Sequence, residues 1–115
     1  MPLRVFGDPI QLQQVVSNLV LNAMDAVLDT PRAQRAVTVT TSRGRRCAEI
    51  RVADTGPGVP PEVATRIFEP FFSTKDHGMG MGLSIARTIV KAHDGQIDFE
   101  NRNGAVFRIR LPLIE

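Results

Sequence analysis

Between Asp8 and Pro31 the apolar residues recur at helical spacing, and no other stretch restricts the fold as much. Asp8 is suited to accept from free backbone N–H groups and Pro9 has the fixed φ of a first helical position, so a helix is predicted over residues 9–28, ending near Thr30-Pro31. At roughly 100° per residue, Leu12, Val15, Val16, Leu19, Val20, Ala23 and Val27 share one broad face, which must be core. Gln11, Gln14, Asn18, Asn22, Asp25 and Asp29 gather beside it in an arc of roughly 80°. A solvated helix face is one reading of that stripe. However, such faces draw on Lys, Glu and Arg, whereas Asn and Asp disfavour helix and need a reason to sit within one. Ile10, Leu21, Met24 and Leu28 make the far flank apolar too, which places the stripe between two apolar walls and predicts that it lines a pocket.

Downstream the period becomes alternating. Residues 36–42 and 47–53 are expected as strands joined through Arg43-Gly44-Arg45-Arg46, and residues 96–100 and 105–111 as a second hairpin around Asn103-Gly104. A short helix is expected over residues 61–67 and another over 82–93, where Leu83, Ala86, Ile89 and Val90 have helical spacing. The fold class that follows is α/β: a two-layer sandwich in which a mixed, mostly antiparallel sheet of about five strands packs on about three helices. At 115 residues there is room for a single domain, 1–115. Fourteen basic against twelve acidic residues leave +2, too little to point to nucleic acid. The lone Cys47 permits no internal disulfide and no apolar run approaches the roughly 20 residues of a bilayer span, so a cytoplasmic location without direct membrane contact is expected, with membrane anchoring of a longer parent protein left open.

Three groups of residues carry chemistry. The asparagine carboxamides offer neutral oxygens of the kind that suits a hard cation such as Mg²⁺. Asp54-Thr55-Gly56-Pro57-Gly58 comes straight off a strand, either as an ordinary turn or as a place where backbone can approach a flat ligand. Gly78-Met79-Gly80-Met81-Gly82-Leu83-Ser84 leads into a helix whose first N–H groups can hold an anion, or it is a hinge. Neither Lys75 nor Lys91 is followed by Ser or Thr, so there is no Walker A loop, and the glycines do not read as a dinucleotide fingerprint. His93, before Gly95, is expected at a helix C-terminus, serving the dipole.

In order, Asn18-Leu19-Val20-Leu21-Asn22-Ala23, Asp54-Thr55-Gly56-Pro57-Gly58, Phe68-Glu69-Pro70-Phe71-Phe72-Ser73-Thr74-Lys75 and Gly78-Met79-Gly80-Met81-Gly82-Leu83 resemble the four boxes of the ATP-binding catalytic domain of bacterial sensor histidine kinases, in the Bergerat-fold superfamily. The style is that of the nitrogen-regulation and oxygen-sensing class, and the resemblance covers about residues 6–112. It implies an ATP site in which Asn22 ligates Mg²⁺, Asn18 assists the phosphates or metal-bound water, and Asp54 accepts from the adenine amino group beside Gly56 and Gly58. It further implies a short ATP lid at about 73–81, with Lys75 reaching the phosphates, Gly78, Gly80 and Gly82 supporting closure and Leu83 among the ATP-binding residues, while Phe68, Phe71 and Phe72 anchor its base or serve as core. Two departures stand out: Asp25 occupies a position where many members carry Lys or Arg, and Val106 one where Thr or Ser often supports adenine through water.

Relatives that hydrolyse ATP carry a glutamate four residues before the metal asparagine, where this chain has Asn18. The resemblance therefore implies protein-histidine kinase chemistry: transfer of the γ-phosphoryl group of ATP to a histidine on a separate dimerisation domain, and from there to a response regulator. Neither His77 nor His93 has the context of that acceptor, so the chain alone is not expected to phosphorylate itself. A nucleotide-sensing pseudokinase and a Bergerat-fold ATPase are the alternatives.

Overall fold

Asp8 caps the first helix through Oδ1, which accepts from the N–H of Ile10 at 2.9 Å and of Gln11 at 3.1 Å. In the computed structural model, which describes residues 4–69 and 82–114, helix α1 spans Pro9–Ala26 and tightens into a 3₁₀ turn, Val27–Asp29. The last turn of α1 has no basic residue of its own. Arg35 supplies one from outside, donating to the carbonyls of Thr30 at 2.8 Å and Leu28 at 3.0 Å.

Strands β1 (Val37–Arg43), β2 (Cys47–Asp54), β3 (Gln96–Asn101) and β4 (Ala105–Pro112) form one sheet in the order β1-β2-β4-β3. Every pairing is antiparallel, so among the described residues the sheet has four strands and is not mixed; Val5 adds a single bridge to Leu113. Both hairpin turns lie where the sequence places them, with Arg46, Asn103 and Gly104 at positive φ. Helix α2 (Gly82–Ala92) lies beside α1 on one face of the sheet. The helix expected over 61–67 is only a 3₁₀ turn, Pro61–Val63. Val63, Thr65 and Ile67 are β-branched and lose side-chain freedom in a helix, and Ile67 instead enters the core.

That core joins Val15, Leu19 and Ala23 of α1 and Ala86, Ile89 and Val90 of α2 to Val52, Phe107, Ile109 and Leu111 of the sheet. Phe107 stacks on Phe99 with centroids 5.6 Å apart and takes the edge of Phe68 at 6.3 Å, so Phe68 is a core residue, while Phe71 and Phe72 lie outside the described residues. One expectation is overturned: Ile10, Leu21, Met24 and Leu28 are 53–77% exposed and form no pocket wall. In a two-layer sandwich the helix has one layer to bury against, and this flank points away from it.

His93 does more than serve a dipole. Its Nδ1–H donates to the carbonyl of Ile89 at 2.8 Å, and its Nε2 accepts from the backbone N–H of Asp8 at 3.0 Å, a tautomer assigned from the two partners. The imidazole thus ties the end of α2 to the start of α1.

The opposite face of the sheet is a ladder of charges. Arg110 reaches Glu49 at 3.1 Å and Asp98 at 3.2 Å, Arg108 reaches Asp98 at 2.8 Å, and Arg51 also pairs with Glu49. The Arg51 hydrogen bond, helped by Arg110, holds the Glu49 carboxyl below the usual range against the opposing effect of its burial. For Asp98 burial pushes upward, but the hydrogen bonds and charges of Arg108 and Arg110 more than offset it. Carboxylates with lowered folded pKa contribute stability that is complete above their unfolded values, near 4, and is lost as pH falls through the folded ones. Urea denaturation across pH should therefore show stability declining below about pH 4, and the decline should be shallower in Glu49→Gln.

Candidate functional site

Burying Leu19 and Ala23 turns the polar stripe of α1 to the edge of the core, where Asn18 and Asn22 are half-buried. Asn18 Nδ2 donates to the carbonyl of Gly82 at 3.2 Å, joining the middle of α1 to the first residue of α2. Its carboxamide oxygen and the whole Asn22 side chain have no hydrogen-bond partner among the described residues. Leu83, next to Gly82, packs partly against the core. Lys75, Gly78, Gly80 and the rest of the 73–81 segment lie outside the described residues.

The second half of the site forms at the end of β2. Asp54 is 4% exposed, and its Oδ1 accepts from the N–H of Gly56 at 2.9 Å and of Ala105 at 3.2 Å. Oδ2 is equally buried and has no hydrogen-bond partner among the described residues, an unusual state for a carboxylate oxygen. Gly56 lies against the end of α1, where a Cβ would stand 2.7 Å from the carbonyl oxygen of Ala26. Ala26 is one turn beyond Asn22 and two beyond Asn18, so the first helix runs about 12 Å from the Asp54 loop to the α2 N-terminus.

Several residues that hold this arrangement are not identifiable as site residues from sequence. Thr55 Oγ1 donates to the carbonyl of Gln34 at 2.7 Å and accepts from the N–H of Ala36 at 2.9 Å, while its own carbonyl accepts from Thr30 Oγ1 at 3.2 Å. The Asp54 loop is thereby laced to the chain that leaves α1. On its other side, Asn101 pairs with both backbone groups of Val59, and Gly104 sits against Asp54 at φ 130°. The Asn103-Gly104 pair signals a tight turn in the sequence, but not what the turn touches. Val106 is buried and faces Ala53 in register, so it offers no hydroxyl at that point of the sheet.

For a divalent cation, the described residues hold no cluster of three His, Cys, Asp or Glu side chains. The carboxamide oxygens of Asn22 and Asn18 fit an ion that keeps most of its ligands as water and phosphate, because one or two protein oxygens then suffice. No helix among the described residues is long and apolar enough to cross a membrane.

Comparison with solved structures defines the class. The catalytic domain of histidine kinase ThkA matches at a TM-score of 0.82 and 38% identity, covering 94% of this chain and 70% of that one. Full-length ShkA in complex with AMPPNP matches at 0.81 and 30% identity, covering 97% of this chain and 23% of that one. The fold is that of histidine kinase catalytic domains. The family described as histidine kinase-, DNA gyrase B-, and HSP90-like ATPase matches residues 7–115, and the chain belongs to it. The sensor protein FixL of Bradyrhizobium diazoefficiens is 43% identical over 110 residues, which is 94% of this chain and 22% of that relative, so the chain spans about a fifth of it.

A Cβ on Gly104 would stand 1.9 Å from the carbonyl oxygen of Asp54, at a φ that L side chains avoid. Gly104→Ala should therefore destabilise the domain by about 2 kcal/mol or more. Thermal denaturation of the variant beside wild type checks this.

Proposed function

We propose that this domain binds Mg²⁺-ATP and presents its γ-phosphoryl group to a histidine on a separate dimerisation domain, as the catalytic half of a protein-histidine kinase. The unpartnered Oδ2 of Asp54 is the observation that carries the reading. A buried carboxylate oxygen without a donor selects a ligand that brings one, and the amino group of adenine does so. Guanine carries a carbonyl at the same position and would set oxygen against oxygen, leaving both unsatisfied. At the other end of α1, Asn22 would give its oxygen to the metal, Asn18 would support the phosphates, and the first N–H groups of α2 would face negative charge. Bound Mg²⁺ supplies charge neutralisation and alignment of the phosphates. Lys75, Gly78 and Gly80 would complete the phosphate end from the lid at 73–81.

The residue types support transfer over hydrolysis. Asn18 has no basic oxygen with which to activate water, so catalysis rests on positioning and charge. The acceptor histidine would come from the parent's dimerisation domain, with a response regulator downstream, in the cytoplasm. His93 is committed to holding two helices together, which suits an anchor and not a phosphate acceptor.

Calorimetry with Mg²⁺-ATP tests the site. Asn22→Ala should weaken binding about tenfold or more, and Asp54→Ala should cost ATP affinity while leaving the weaker GTP affinity nearly unchanged. Unchanged ATP binding in both variants would overturn the reading. With labelled ATP, the chain alone should gain no stable phosphohistidine and should transfer label to a supplied dimerisation domain; steady ATP turnover without that partner would favour an ATPase.

A further inference from the structure

Asp54 is aimed by two N–H groups that belong to different segments. One is Gly56, in the loop after β2; the other is Ala105, the first residue of β4. Nothing in the covalent chain holds these segments in register, because about fifty residues separate them. Asn101 does. It ends β3 directly opposite Ala105 in the strand pairing, and its side chain crosses to the Gly56 loop. There its Oδ1 accepts from the N–H of Val59 at 2.9 Å, and its Nδ2 donates to the carbonyl of Val59, also at 2.9 Å. The carboxamide thus completes a two-point pairing with one residue of the loop. Gly58, at φ 82°, is folded tightly around the same oxygen, for a Cβ there would lie 2.8 Å from Asn101 Oδ1.

We infer that Asn101 is a positioning residue for base recognition: by clamping the Gly56–Val59 loop to the β3–β4 hairpin it sets the separation of the two N–H groups that hold Asp54 Oδ1, and so the direction in which Oδ2 faces. The inference rests on the nucleotide reading above and adds a residue that acts through the Asp54 loop. Asparagine is suited to the task because only a carboxamide offers a donor and an acceptor side by side in one plane, matching the N–H and C=O of one residue. Aspartate would keep the acceptor but set its second oxygen against the Val59 carbonyl, and alanine would remove both bonds.

The experiment displaces a fluorescent ADP analogue from the 115-residue chain with ATP and with GTP, for wild type, Asn101→Ala and Asn101→Asp. Asn101→Ala is expected to lower ATP affinity about tenfold, as loss of two neutral hydrogen bonds implies, and to leave GTP affinity nearly unchanged, so that the preference for adenine shrinks. Asn101→Asp should fall between alanine and wild type, and it decides the matter alone should the alanine variant not fold. ATP affinity equal to wild type, or an equal loss for ATP and GTP, overturns the positioning role. Absence of nucleotide binding in the wild-type chain overturns instead the nucleotide reading on which the role rests.

Discussion

The rotation of α1 about its own axis governs the rest of the molecule. With successive residues roughly 100° apart, burying Val15, Leu19 and Ala23 under the sheet leaves no freedom in where Asn18 and Asn22 point. They stand at the margin of the core, one beside Gly82 of α2 and the other a turn nearer the Asp54 loop. A slip of one residue in that packing would carry the carboxamides into the hydrophobic core or out to solvent. Phe107, 2% exposed and gripped by Phe99 and Phe68, is the sheet's counterweight to this helix face. His93 reinforces the arrangement at the far end by joining the α2 terminus to the N-cap of α1.

Asp54 depends on that frame in a second way. A carboxylate with one oxygen accepting from two N–H groups and the other buried without a partner among the described residues carries a desolvation cost. The fold tolerates it because the loop is held on both flanks, by Thr55 toward α1 and by Asn101 toward the β3–β4 hairpin. The charge ladder on the outer face, built on Glu49, Asp98 and Arg110, is by contrast self-sufficient and asks for no ligand.

Much of this was legible in the residues. The capped helix, both hairpins and the α/β class follow from period and turn chemistry, and the family from the resemblance that the ordered motifs carry. The apolar flank of Ile10, Leu21, Met24 and Leu28 misled because a helical wheel shows which residues share a face, not how many layers are there to cover it. The helix expected over 61–67 failed because its apolar spacing serves a turn that delivers Ile67 to the core. Asn101 could not be singled out: it follows directly on the strand expected over 96–100 and stands just before the Asn103-Gly104 turn, where a polar residue reads as part of the turn.

What the sequence determined by itself is local: where helices and strands begin, which residues are apolar, which types could bind a cation or a phosphate, and that Asp54 lies between a strand and a glycine loop. Such facts depend on neighbours in the chain, through backbone sterics and side-chain period. Only the tertiary structure decided that Ala105 and Gly56 share one carboxylate oxygen, that the other oxygen lacks a partner among the described residues, and that Asn101 and His93 are ties between distant elements. Those relations join residues about forty to eighty-five positions apart, brought together by burial of the common core, a cooperative property of the whole chain that no window of sequence contains.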